Sequence, residues 1–308
     1  MTDPPRPGPS TRVRVNVVED RRIRARADLL ATEEPMEIRI IGAGSRQRTI
    51  AITMRTPGRD FELAAGFLFA EGVIAGRDDI ARIDYCTDPH LAEDERHNVV
   101  TVTLAGPIPP LPGLDRRFLT TSACGVCGKE SLDALRIRGC GSVPAGPVVE
   151  PEVLCSLPDR LRAGQVVFAK TGGLHAAGLF AATGELLAVR EDVGRHNAVD
   201  KIVGWALFDD KIPANHRILM VSGRASYEIM QKALVAGIPF VAAVSAPSSL
   251  AVALGRDFGM TLVGFFRGRR FNLYAGEERI APVDNGKQGA GVHPQEHPSE
   301  AKPARPTR

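Results

Sequence analysis

Residues 120–129 read TTSACGVCGK, with Cys124 and Cys127 three apart and a glycine after each. A Cys-x-x-Cys can be half a zinc site, a redox dithiol or a sulfur-handling pair. A structural zinc site wants four ligands, usually a second cysteine pair or two spaced histidines. The other cysteines, Cys86, Cys140 and Cys155, are single. A nucleobase deaminase would show His-x-Glu followed by Pro-Cys-x-x-Cys. Here the dithiol precedes His175, Ala177 occupies the would-be Glu position, and no proline precedes Cys124. The spacing therefore argues against zinc, and no bound metal is expected. A thioredoxin-like dithiol would sit in an early βαβ unit, whereas Cys124 follows the proline-rich break PIPPLPG. A helix expected from near Glu130 (ESLDALRI) would lower a cysteine pKa through its N-terminus, with Lys129 adding to the effect. Gly125 and Gly128 are expected to make the segment mobile. A mobile thiolate pair suits a carrier that visits two partners. The plain alternative is a glycine-rich loop with two idle thiols.

A second set of residues could bind an anion. HRILMVSGRASYEIMQKALVAGIPFVAAVSAPSSLAVALGRDFGMTLVGFFRG reads strand, helix, strand, helix, strand, with ILMVS, FVAAVS and TLVGFF as the strands. Strands without polar alternation are buried on both faces, which points to a parallel sheet covered by helices. Ligands collect at the carboxyl ends of such strands. The first loop there supplies Ser222, Gly223, Arg224 and Ser226, the second Ser248 and Ser249, and the third Arg267, Gly268, Arg269 and Arg270. Hydroxyls, a close-approach glycine, arginine forks and helix N-termini suit phosphate oxygens. The alternative is that the serines are caps and the glycines turns.

Two polar segments add to this edge. KTGGLH, residues 170–175, is read as following a strand at residues 166–169, and EDVGRHNAVDK spans residues 191–201. His175 and His196 beside glycine loops read as site residues, with Arg195 between them in role. A solvated helix start capped by Asp192 is the competing explanation of the charge run.

The elements that must carry these groups divide the 308 residues as follows. Residues 1–12 and the tail 284–308 are poor in apolar side chains and are expected to be disordered. Residues 13–118 read as a small α+β unit. Within it, 36–54 is a hairpin about GAGS, Asp60 caps a helix, and 98–105 is a strand. Residues 119–148 hold the dithiol and its helix. Residues 149–283 form the α/β domain with its central sheet. A composition of 44% hydrophobic and 24% charged residues is that of a globular chain. The net charge of +3 is too small to suggest nucleic acid. No apolar run is long enough to cross a membrane, and the N-terminus lacks a secretory core, so the reading is cytoplasmic. Five cysteines in a chain this long are not a disulfide framework.

TTSACGVCGKESL, KTGGLHAAGLF, EDVGRHNAVDKIVGWAL, VSGRASYEIMQKALVAGIPFVAAVSAPSSLAV and GFFRGRRFNLY, in that order, resemble the formate dehydrogenase accessory sulfurtransferases, the FdhD/NarQ family. The resemblance implies a cytidine-deaminase-like fold for the C-terminal domain, without deaminase chemistry. It implies a sulfur carrier that takes persulfide sulfur from a cysteine desulfurase. The sulfur passes to the molybdenum cofactor, bis-molybdopterin guanine dinucleotide, before its insertion into formate dehydrogenase. It places the persulfide on Cys124 and the cofactor-binding stretch on Phe265, Phe266, Arg267, Gly268, Arg269 and Arg270. A homodimer is a further expectation from the family. Two other readings stand beside it: a zinc-dependent nucleobase hydrolase, and a non-enzymatic nucleotide-binding adaptor.

Overall fold

Alternating valines and arginines open the chain as a β-ribbon. In the computed structural model, which describes residues 8–88, 90–110, 135 and 140–282, β1 (Ser10–Glu19) and β2 (Arg22–Ala31) pair antiparallel along their whole length. Asp20 and Arg21 turn the chain with φ of 47° and 61°, the positive values a two-residue hairpin loop needs. Ser10, Thr11 and Arg12, inside the segment expected to be disordered, thus belong to a strand. Val13, Val15 and Val17 alternate with polar residues and stand opposite Asp28, Arg26 and Arg24, so paired backbone offsets the ordering cost that composition alone suggested.

A four-stranded sheet follows, built from β3 (Glu34–Ile41), β4 (Arg48–Arg55), β5 (Ile80–Tyr85) and β6 (Val99–Leu104) in the order β4-β3-β6-β5. The expected hairpin is β3 and β4, and the expected strand near residue 98 is β6, which joins β3 in parallel. Between them lie α1 (Asp60–Ala70) and the single turn α2 (Glu93–Arg96). Asp60 is the first residue of α1 and not its cap. Arg59 takes the cap position in the left-handed region, φ 60°. The Asp60 carboxylate is turned inward, where it accepts from Arg55 at 3.3 Å and from the Gly58 amide at 3.1 Å.

The second half starts with α3 (Pro151–Gly164) and the short α4 (Phe168–Thr171), then β7 (His175–Ala181), β8 (Leu186–Asp192) and α5 (Arg195–Phe208). It continues β9 (Arg217–Val221), α6 (Tyr227–Val235), β10 (Phe240–Ala243), α7 (Ser249–Asp257), β11 (Thr261–Arg267) and β12 (Arg270–Ala275). These six strands form one sheet, β12-β11-β10-β9-β7-β8, in which β9, β10 and β11 are parallel and the others antiparallel. One face buries Phe180, Met220 and Phe240 under Leu154, Leu157 and Leu161 of α3. The other buries Leu179, Leu219 and Val241 under α5, α6 and α7.

The strand expected over residues 166–169 is not there. Glu191 at the end of β8 accepts from the Val167 and Phe168 amides at 2.9 and 2.7 Å, and this side-chain cap starts α4 instead. The two halves also share an apolar core. The cluster that holds Met36, Ile38 and Leu68 continues without a break to Ala198, Ile202 and Val203 of α5.

Candidate anion site at the carboxyl edge of the sheet

The parallel order of β9, β10 and β11 brings all three expected loops to one edge. β7 is antiparallel to β9, so its first residue, His175, lies at that same edge. β8 returns antiparallel to β7 with Asp192 opposite His175, and α5 therefore begins there too. From β11 to β7 the edge spans three strand spacings, roughly 14 Å. That length suits an elongated ligand with more than one anionic group.

Ser222 closes the inner wall. Its hydroxyl accepts from the Ala176 amide at 2.9 Å, and its own amide donates to the Ala176 carbonyl. Gly223 leaves room for the imidazole of His175, whose Nδ1 would be 3.4 Å from a Cβ at that position. His196 Nε2 and the Ser226 hydroxyl are 3.2 Å apart, and Glu228 Oε2 is 3.7 Å from the same nitrogen. Ser226 stands at the cap position of α6 yet makes no cap hydrogen bond, and its hydroxyl is shared between His196 and the Glu228 carboxylate. Ser248 does cap α7, accepting from the Ala251 amide at 3.2 Å. For Ser248 the plain reading of a capping serine is what the structure contains.

Burial, followed by the neighbouring Arg195 guanidinium, pulls the His175 imidazole below its ordinary range. The same two causes, in that order, together with Lys232, pull His196 down to about 4. Both rings are neutral near pH 7. Arg195 is the cation between them, and its Nε is buried without a hydrogen-bond partner. The cluster thus combines two neutral proton acceptors with a fixed positive charge.

The third loop is a different kind of surface. Arg267, Gly268, Arg269 and Arg270 form the exposed tip of the β11–β12 hairpin. A bulge between Gly264 and Arg267 puts Phe265 in the left-handed region, φ 58°. The Arg267 guanidinium lies 4.3 Å from the Phe265 ring centroid and donates to the Phe266 carbonyl at 2.6 Å. Phe266 turns the other way, into the core beside Phe271. Arg224 is exposed on the first loop. The loops and both histidines are therefore brought to one edge, while Phe266 is a core residue. Cys124 and Cys127 lie outside the described residues.

The charged run EDVGRHNAVDK divides in two. Arg195 and His196 face the edge. Asp192 is fully buried, accepts from the Thr56 and Gly194 amides and from Asn197, and pairs with Lys201 at 2.6 Å. Lys201 also donates to the Thr56 carbonyl, and Asn197 to the Met54 carbonyl. Asp200 pairs with the buried Lys232 at 2.7 Å. Most of the run is thus a polar lock that fastens the end of β4 to α5, and not a solvated helix start. Ser226 was among the residues of the first loop, whereas Glu228, which shares the surroundings of His196, was missed from sequence; its signal is its place in the first turn of α6, two residues after Ser226.

A family model described as the FdhD/NarQ family matches residues 31–281. A protein of Streptomyces avermitilis named sulfur carrier protein FdhD is 54% identical over 267 residues, covering 86% of this chain and 93% of that one. A protein of the same name from Sulfurisphaera tokodaii is 44% identical over 269 residues, covering 87% and 98%. A crystal structure from Desulfotalea psychrophila, whose description names a formate dehydrogenase accessory protein, superposes with a TM-score of 0.67 at 25% identity, covering 88% of this chain and 99% of that one. The match runs through the dithiol segment and every loop of the edge, and the chain belongs to the FdhD/NarQ family.

Proposed function

We propose that this protein is a sulfur carrier for formate dehydrogenase maturation. It takes persulfide sulfur from a cysteine desulfurase and delivers it to bis-molybdopterin guanine dinucleotide, its cargo, in the cytoplasm. The observation that carries this reading is the edge itself. Two neutral imidazoles, the Arg195 cation and the exposed arginine tip lie along one sheet edge in a chain whose relatives bear the name sulfur carrier. The anion-suited loops fit the pyrophosphates of such a cargo. A cytidine-deaminase-like layering is the fold reading that goes with this proposal, and a homodimer is its assembly.

In the first step the Cys124 thiolate attacks the terminal sulfur of the desulfurase persulfide. The S–S bond breaks, the desulfurase thiolate leaves, and Cys124 carries –S–SH. Two balanced routes then involve Cys127. In one, its thiolate attacks the inner sulfur of the persulfide, a Cys124–Cys127 disulfide forms, and hydrosulfide leaves toward the cofactor. In the other, Cys127 attacks the outer sulfur and carries the persulfide onward. Arg195 holds the anionic cargo by charge, and the neutral imidazoles of His175 and His196 supply the proton acceptors.

Mass spectrometry after incubation with a cysteine desulfurase and cysteine tests this. One added sulfur is expected on Cys124, and its loss in Cys124→Ala. An unchanged mass in the wild type would overturn the carrier reading. The wild type after delivery separates the two routes: a Cys124–Cys127 disulfide marks the first, and added sulfur on Cys127 without a disulfide marks the second, while Cys127→Ala should keep its sulfur on Cys124 in either case.

A further inference from the structure

The β1–β2 ribbon precedes the segment matched to the family and takes no part in either sheet. Residues 10–31 hold six arginines against Glu19, Asp20 and Asp28, a surplus of three that equals the +3 of the whole chain. The remainder of the protein is therefore balanced, and its positive excess sits on this arm. A two-stranded ribbon by itself is marginal in water, and among the described residues neither of its long edges has a strand partner.

The pattern on β2 is regular. Arg22, Arg24 and Arg26 point to one face and Ile23, Ala25 and Ala27 to the other, as strand alternation requires. All six are exposed. At the tip, Val18 and Ile23 stand opposite each other and are 69% and 70% exposed. Among the described residues, β2 pairs with β1 alone, so its outer edge is open over this stretch. Arginines placed only to guard an edge would leave no bare apolar face beside them.

We propose that the outer edge of β2, over residues 22–28, docks an extended acidic segment of a partner protein. The segment adds as a third strand, with carboxylates at alternate positions beside Arg22, Arg24 and Arg26 and apolar side chains beside Ile23, Ala25 and Ala27. Charge complementarity selects this occupant. Two copies of a ribbon with a surplus of three positive charges repel each other, and a nucleic acid would leave Ile23 and Val18 bare while meeting Glu19, Asp20 and Asp28 with its phosphates. The proposal is independent of the sulfur chemistry.

Fluorescence anisotropy on the full chain tests it, with a labelled octapeptide of alternating glutamate and valine as the probe. Saturable binding is expected. It should weaken at least tenfold with an octapeptide of the same composition in two blocks, and by as much in the Arg22→Glu/Arg24→Glu/Arg26→Glu variant. The corresponding glutamine variant, which keeps side-chain length without charge reversal, should weaken binding while its thermal melt stays unchanged. Absence of saturable binding, equal binding of the block peptide, or equally tight binding of an oligonucleotide of the same charge would each overturn the proposal.

Discussion

Gly66 of α1 and Gly204 of α5 meet backbone to backbone where the two helices cross. A Cβ on Gly66 would lie 2.7 Å from the Gly204 nitrogen, and still closer to the Asp200 carbonyl oxygen. A Cβ on Gly204 would in turn overlap the Glu62 carbonyl. The close approach lets α1 carry the four-stranded sheet onto the α/β half, and it seats the Glu62 carboxylate against Nε and Nη2 of Arg190. α5 is also the helix whose first residues are Arg195 and His196, so the crossing helps fix the edge of the site.

Either glycine is therefore intolerant of a methyl group. Gly66→Ala or Gly204→Ala has only backbone to push against, and overpacking of this kind costs about 3 kcal/mol. Urea unfolding should show the midpoint falling with the slope unchanged. A midpoint within error of wild type would mean that the helices slide apart at little cost, and that the shared core is not what fixes α5.

Much of this architecture was legible in the sequence, because its signals are local. The β3–β4 hairpin and the strands β9, β10 and β11 follow from runs of β-branched residues between turn residues. What was hidden depends on distant partners. The charges of residues 191–201 allowed a ligand site or a solvated helix start, yet Asp192, Asn197 and Lys201 find Met54 and Thr56 at separations of 136 to 145 residues. VVFA reads as strand, and only Glu191, 23 residues from Phe168 along the chain, makes it a helix start. The edge was recognised from its hydroxyls, glycines and arginines. No pattern could say which serine would cap a helix and which would face a histidine.

Lys232 and Asp200 form a buried pair, and the two ends respond differently to burial. Burial raises the Asp200 carboxyl to about 6 even with the ammonium beside it. For Lys232 burial is the largest single influence and lowers the pKa, but the carboxylates of Asp200, Glu71 and Glu228 together outweigh it and raise it. Lys232→Met strands a buried carboxylate and should cost about 3–5 kcal/mol at pH 7, whereas Asp200→Leu with Lys232→Met should cost far less. Thermal melts of the single and double variants check the difference. Equal losses would show that the pair is not coupled.

His196 gives a pH signature of known sign. Its folded pKa of about 4 is below that of an unfolded histidine, so its contribution is present above about pH 6.5 and is lost as pH falls toward 4. His196→Gln should therefore gain stability relative to the wild type as pH falls through this window. The slope of the difference should approach, at most, about 1.4 kcal/mol per pH unit. Chemical denaturation at several pH values reads it directly. A difference independent of pH would mean that the imidazole titrates normally, and would remove the neutral proton acceptor from the proposed site.

The arginine tip should govern affinity for the nucleotide end of the cargo. Arg267 is held by its stack on Phe265 and its bond to the Phe266 carbonyl, whereas Arg269 is free of described hydrogen bonds and exposed. If the tip contacts phosphate, Arg267→Ala and Arg269→Ala should each weaken guanosine diphosphate binding roughly tenfold, since a charge-assisted hydrogen bond contributes about 1.5–3 kcal/mol. Phe265→Gly keeps the backbone conformation that φ 58° demands but deletes the platform under Arg267. It should therefore follow Arg267→Ala and leave the effect of Arg269→Ala intact. Arg256→Ala is the control, because that exposed arginine bonds the Tyr274 carbonyl beside α7. Isothermal titration decides the matter: if Arg256→Ala weakens binding as much as the tip variants, the effect is one of overall charge and the tip is not the phosphate contact.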